Sequence, residues 1–131
     1  MIGLDTNIFV RYLTRDDPGQ FRQAAQILER DLTTDNPGFV SLVTVAELVW
    51  VLESIYDFTN EQVASAVYRM LRVPMLQIQN AREVFFAVEA HQTSTASFED
   101  ALIGALGAWA GCSTTLTFDK KAARLPSFRL V

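Results

Sequence analysis

Four carboxylates stand out by their position in the pattern of the chain: Asp5, Glu47, Asp100 and Asp119. Asp5 closes the short apolar run that begins at Met1, and Asp119 closes the Thr-rich run Ser113 to Phe118. Glu47 and Asp100 each lie three residues after a helix-capping type, Thr44 and Ser97. Like charges drawn within a few ångströms of one another are costly unless a cation lies between them. Carboxylate oxygens are hard ligands and select Mg²⁺ or Mn²⁺. A site of that kind suits phosphoryl chemistry. The metal binds phosphate oxygens, lowers the pKa of a water and orients it for in-line attack. Each acid also has a plain structural reading. Glu47 can complete a capping box with Thr44; Asp100 can do so with Ser97 or complement the helix dipole; Asp5 and Asp119 can be ordinary caps.

The elements that must position these acids follow from turn and cap signals. Met1 to Leu4 predicts a first strand and Thr6 to Leu13 a helix. Asp17-Pro18 predicts a second helix start, with the apolar spacing Phe21, Ala24, Ala25, Leu28 and an end near Leu32. Asn36-Pro37-Gly38 is a turn, and Gly38 to Leu42 the second strand. Thr44 to Glu47 opens a helix to about Tyr56, and Thr59 to Gln62 opens another to about Arg72. Met75 to Ile78 is a third strand. Asn80 with Glu83 caps a helix to about Gln92, and Ser97 to Asp100 opens the next, closed by Gly111. Ser113 to Phe118 is a fourth strand, a short helical turn begins at Asp119, and Phe128 to Val131 is a fifth strand. Strands alternate with helices and no two-residue hairpin joins them. The expected fold is therefore α/β, a central parallel sheet with helices on both faces. In such folds the functional crevice lies beyond the carboxyl ends of the strands. Connectivity alone brings Asp5, Glu47 and Asp119 to that edge. Asp100 joins them only if its helix also starts there.

Composition narrows the classes. A chain of 131 residues, half of them apolar, suits one domain spanning 1–131, with no repeat and no linker-like stretch. The longest apolar stretch, Ala101 to Gly111, is too short for a membrane span of about 20 residues. The N-terminus has no signal-peptide pattern. Cys112 is the only cysteine, read as a small buried apolar residue, and a reduced, cytoplasmic setting fits. His91 is the only histidine and sits in a polar stretch. No residue is therefore placed to serve as a nucleophile–base pair. The net charge of −4 is not that of a protein holding long nucleic acid by charge alone. An acidic pocket loaded with metal can still bind phosphate.

Gly3-Leu4-Asp5-Thr6-Asn7, Val45-Ala46-Glu47, Phe98-Glu99-Asp100-Ala101-Leu102-Ile103 and Thr117-Phe118-Asp119, in that order, resemble the PIN-domain ribonucleases. Among these the chain is most similar to the VapC-type toxins of toxin-antitoxin pairs. The resemblance covers essentially the whole chain. It implies a compact α/β fold and endonucleolytic cleavage of RNA with Mg²⁺ or Mn²⁺. It implies a cognate VapB-like antitoxin and a homodimer. It makes Asp5, Glu47, Asp100 and Asp119 the acidic quartet, supported through hydrogen bonds by Asn7 and Thr117. Many relatives carry an acid three residues before the third member, where this chain has Ser97, so the ligand set stays open at that point. Glu99, adjacent to Asp100 in a helix, points elsewhere.

Other readings fit less well. A haloacid-dehalogenase-type phosphatase needs a second Asp where Asn7 stands, and a receiver domain needs an Asp after a middle strand. A dinucleotide binder needs a glycine-rich turn where Leu4-Asp5-Thr6-Asn7 lies. A catalytically dead RNA- or protein-binding module and a housekeeping RNA-processing nuclease remain as alternatives. Arg11, Arg15, Lys120, Lys121 and Arg124 lie near the inferred edge in sequence, as RNA phosphate contacts or as solvated surface. Phe9, Tyr12, Trp50, Tyr56 and Trp109 read as core or interface, with Tyr12 and Trp50 candidates for an antitoxin or dimer surface.

Overall fold

The computed structural model describes all 131 residues, which pack as two compact units, Met1–Gln79 and Asn80–Val131. The first unit runs β1 (Ile2–Gly3), α1 (Thr6–Thr14), α2 (Pro18–Gln26), β2 (Gly38–Val40), α3 (Leu42–Ser54), α4 (Asn60–Arg72) and β3 (Leu76–Ile78). A π-helical turn, Ile27–Asp31, prolongs α2. The strands pair in the order β1-β2-β3, all parallel, with Ile2 opposite Gly38 and Gly38 opposite Leu76. Gly38 is where the sheet meets its cover. A Cβ there would come within 2.6 Å of Leu4 Cδ1 and 2.9 Å of Leu32 Cδ1, closer than packed carbons allow. Helices α3 and α4 supply the densest apolar faces. Val45, Leu48, Val49 and Leu52 from one, and Val63, Ala64 and Val67 from the other, are all buried. Each large side chain so buried contributes about 1.5–3 kcal/mol.

The second unit holds α5 (Ala81–Thr93), α6 (Phe98–Trp109), β4 (Thr115–Thr117), a short 3-10 turn (Ala122–Arg124) and β5 (Phe128–Leu130). Helices α5 and α6 form a packed hairpin. Val84, Ala87 and Val88 face inward from α5, and Phe98, Ala101 and Leu102 from α6. His91 is buried, its Nδ1 2.9 Å from the Ala96 carbonyl oxygen and its ring edge-on to Phe98. Strands β4 and β5 pair in parallel, Thr115 opposite Phe128. Gly104 permits α6 to approach this ladder, since a Cβ would collide with Ser127 Oγ and come within 2.7 Å of the Phe128 ring.

The α/β alternation and the parallel pairing are as expected. Where one central sheet was predicted, the strands hydrogen-bond as two ladders, β1-β2-β3 and β4-β5. The cap signals at Asp17, Thr59 and Ser97 hold, and Thr59 with Gln62 forms a full capping box. Two others do not. Helix α3 is capped by Ser41, whose Oγ accepts the Thr44 N–H at 3.1 Å, so Thr44 is inside the first turn and Glu47 lies in the second. Asn80 has a left-handed backbone (φ 49) and makes no side-chain cap, so Glu83 completes no capping box. Cys112 is exposed rather than buried. Gly111, at φ 95, ends α6 in a left-handed turn and carries the next residue outward. No helix is long and apolar enough to cross a membrane.

Candidate active site

In the first unit, β1 is held to β2 through the Leu4 N–H to Phe39 O bond at 2.9 Å, and the chain then turns into α1 at Asp5. Asp5 is extended (φ −83, ψ 160) and its Oδ1 accepts the Thr6 N–H at 2.7 Å. The helix start therefore fixes one carboxylate oxygen and leaves the other without a protein partner. Glu47 is exposed on α3 and makes no hydrogen bond or ion pair. Asp5 and Glu47 line one pocket of about 270 Å³ with Asn7, Arg11, Val51 and Tyr56. The N-terminal end of α1 and the second turn of α3 thus present two carboxylates to the same water-accessible space.

A polar network borders this pocket. Arg11 donates through Nε to Gln20 Oε1 at 2.6 Å and through Nη1 to Asp16 Oδ1 at 3.2 Å and Tyr56 Oη at 3.3 Å. The Tyr56 hydroxyl in turn donates to Asp16 Oδ2 at 2.6 Å. The Tyr56 bond above all, helped by the bond from Thr14 and the charge of Arg11, holds the Asp16 carboxyl below its ordinary range against the opposing effect of burial. The same Tyr56 bond and the Asp16 charge keep Arg11 more firmly charged than a free guanidinium. Arg11 and Asn7 also line a broader groove of about 960 Å³ beside α1 and α2, where Arg22 adds a second guanidinium. Tyr56 and Asp16 were not among the residues anticipated as part of the site. Asp16 lies only five residues from Arg11, but Tyr56 is 45 away, and only the fold brings it in.

In the second unit, Asp100 sits in the first turn of α6, half-buried, with its N–H donated to Ser97 Oγ at 3.0 Å. Ser97 is therefore the helix cap. The Asp100 carboxylate makes no hydrogen bond or ion pair. Asp119 follows β4, its N–H donated to Thr117 Oγ1 at 2.9 Å. Its Oδ1 accepts the N–H groups of Lys121 at 2.7 Å and Ala122 at 3.4 Å. Asp119 thus does at the end of β4 what Asp5 does at the end of β1. It caps the turn with one oxygen and keeps the other unengaged. Thr117 steadies it through the backbone, whereas Asn7 is exposed and lines the pocket. Among the basic residues, Arg15 lies 4.5 Å over the Phe21 ring and Arg124 donates to Thr95 Oγ1 at 3.0 Å. Lys120 and Lys121 are exposed.

Within neither unit do three or more His, Cys, Asp or Glu side chains cluster to hold a metal ion. The chemistry of the donors nonetheless suits one. Each of Asp5, Glu47, Asp100 and Asp119 keeps at least one carboxylate oxygen that no protein group occupies. Such hard oxygens are the ligands Mg²⁺ and Mn²⁺ prefer. A family model described as the PIN domain matches residues 2–127, nearly the whole chain. No curated protein matches the sequence.

Proposed function

Since the chain belongs to the PIN-domain family, we propose that it is a metal-dependent endoribonuclease and the toxin of a VapBC-type toxin-antitoxin pair. PIN domains are generally nucleases and typically use divalent metals. The observation that carries the reading is the pair Asp5 and Glu47 on one pocket, each with a carboxylate oxygen free of protein partners. The match runs through both compact units, which supports taking them as one PIN domain.

On this reading Asp5, Glu47, Asp100 and Asp119 are the metal ligands. When bound, Mg²⁺ or Mn²⁺ supplies Lewis acidity and a water of lowered pKa for attack on the scissile phosphate. The chain's own residues do the positioning. The Thr6 N–H fixes the Asp5 carboxylate and the Lys121 and Ala122 N–H groups fix that of Asp119, so neither must be ordered when substrate arrives. Arg11, held charged by Asp16 and Tyr56, offers its guanidinium to an RNA phosphate at the pocket mouth. The groove beside α1 and α2 gives a single strand a path past Asn7 and Arg11. The partners that go with this role are an RNA substrate, a VapB-like antitoxin and a second copy of the chain, in the cytoplasm.

The test is cleavage of a mixed RNA pool by the purified chain with Mg²⁺, Mn²⁺ or EDTA, beside Asp5→Asn. Cutting that needs metal and disappears in the variant is the expected result. No cutting with any metal, by folded protein free of inhibitor, would replace the enzyme with a binding module. Growth arrest on expression, relieved by a co-expressed neighbouring antitoxin, separates the toxin from a housekeeping nuclease.

A further inference from the structure

A further acidic residue, outside the quartet, is buried without a partner. Glu83 in the first turn of α5 is 5 % exposed. It makes no hydrogen bond and no ion pair, and it caps nothing. No sealed side-chain oxygen or nitrogen in the chain lacks a partner. The small part of Glu83 that solvent still reaches therefore includes its carboxylate. It opens into a pocket of about 340 Å³ between α5 and α6, lined by Arg82, Glu83, Phe86, Ala105, Ala108 and Trp109.

The walls suit a cation. Phe86 is 48 % and Trp109 63 % exposed, so both rings are open to an incoming group. Both already face a guanidinium, that of Arg82, at 5.7 Å from the Phe86 centroid and 5.4 Å from that of Trp109. These are distances at which a ring attracts a positive charge. Arg82 lines the same pocket but makes neither a hydrogen bond nor an ion pair with Glu83. Glu83 meets this pocket with no ion-pair partner of its own, and an incoming cation would supply one.

We propose that this pocket binds an organic cation, a guanidinium on a short apolar stem, with the charge on Glu83 and the stem against Phe86 and Trp109. The inference is independent of the nuclease reading.

The experiment is a chemical-shift titration of the full chain, following the Trp109 indole N–H and the Glu83 amide. The probes are butylguanidinium, its neutral isostere butylurea, and the peptide acetyl-Ala-Arg-Ala-amide. Saturating shifts with butylguanidinium, none with butylurea, and affinity weakened about tenfold or more in Glu83→Gln are expected. Arg82→Ala removes a competing cation from the rings and should tighten binding. If Glu83→Gln does not fold, Trp109→Ala, at an exposed position, serves in its place and should weaken binding several-fold. The source of the cation follows from the peptide. Tighter binding than butylguanidinium assigns an arginine side chain of a partner protein, and equal binding assigns a free small cation. Equal shifts with butylurea, no saturation with any cation, or affinity unchanged in Glu83→Gln and Trp109→Ala would overturn the proposal.

Discussion

The Asp5–Glu47 pocket and the Glu83 pocket are built from the same kinds of residue and differ in how those residues are tied. The first has two carboxylates, an arginine and one aromatic side chain, and the second one carboxylate, an arginine and two aromatic side chains. At the first, Arg11 is engaged by Asp16, Gln20 and Tyr56, and Glu47 is exposed. At the second, Arg82 touches only rings, and Glu83 is almost sealed. A wet, carboxylate-lined space keeps the waters that Mg²⁺ surrenders reluctantly. A space walled by aromatic rings favours a cation that sheds water easily and carries an apolar stem. Residue type alone does not distinguish the two; exposure and partnering do.

The comparison can be broken by exchanging effects between the pockets. Asp5→Asn or Glu47→Gln is expected to reduce RNA cleavage by more than about a hundredfold, beyond the usual effect of disturbing a ligand's support. Either change should leave butylguanidinium binding intact. Glu83→Gln should do the reverse, keeping cleavage within about twofold of the parent. Loss of both functions in either variant would mean that the two pockets are not separate devices. A thermal-shift measurement sharpens the point. Mn²⁺ in hundredfold excess over its dissociation constant should stabilise the folded chain by about 2.7 kcal/mol. Glu47→Gln should lower that gain and Glu83→Gln should not.

Smaller effects come from the ties around Arg11. Tyr56→Phe removes a hydroxyl that bonds both Asp16 and Arg11 and should lower cleavage a few-fold, mainly through KM. A change confined to kcat would move Arg11 from substrate binding to the chemical step. The weakest expected effect is on pH. Asp16 has a lowered pKa in the folded chain, so it binds protons less readily there than when unfolded. Its stabilisation is fully present above the unfolded carboxylate value and is lost as pH falls through the lower, folded one. Unfolding free energies of the parent and Asp16→Asn, measured by denaturant titration at a series of pH values, should therefore differ near neutrality and converge at strongly acidic pH.

Much of this architecture is legible in the sequence, and the failures have local causes. Asp17-Pro18, Thr59 with Gln62, and Ser97 mark real helix starts, and Gly111 marks a real end. Asp5 and Asp119 stand at strand ends as the alternation requires. The start of α3 is misread because Ser41 and Thr44 are both capping residues and Glu47 mimics the third member of a box. The Ser41 hydroxyl takes the Thr44 N–H and settles the choice three residues earlier. Asn80 fails as a cap: its backbone is left-handed where a capping residue is extended, and its side chain makes no bond to the first turn. The Arg11–Tyr56 bond joins residues 45 apart, and no pattern of nearby residues announces it. Nor does a glutamate two residues into a helix announce that it is buried without a partner. That follows only once α5 and α6 have packed.

The spacing of the strand pairs sets an order of events. Every rung of β1-β2-β3 closes a loop of more than about thirty residues, since Ile2 meets Gly38 and Gly38 meets Leu76. Thr115 meets Phe128 after only thirteen. Loop closure is entropically dearer for longer loops, and distant pairings slow folding. Amide protection should therefore appear at Thr115–Thr117 before it appears at Gly38–Val40 in a pulse-labelled refolding experiment. When the full-length chain refolds, the strand that presents Asp119 would be ready while the one that presents Asp5 is still searching for its neighbour.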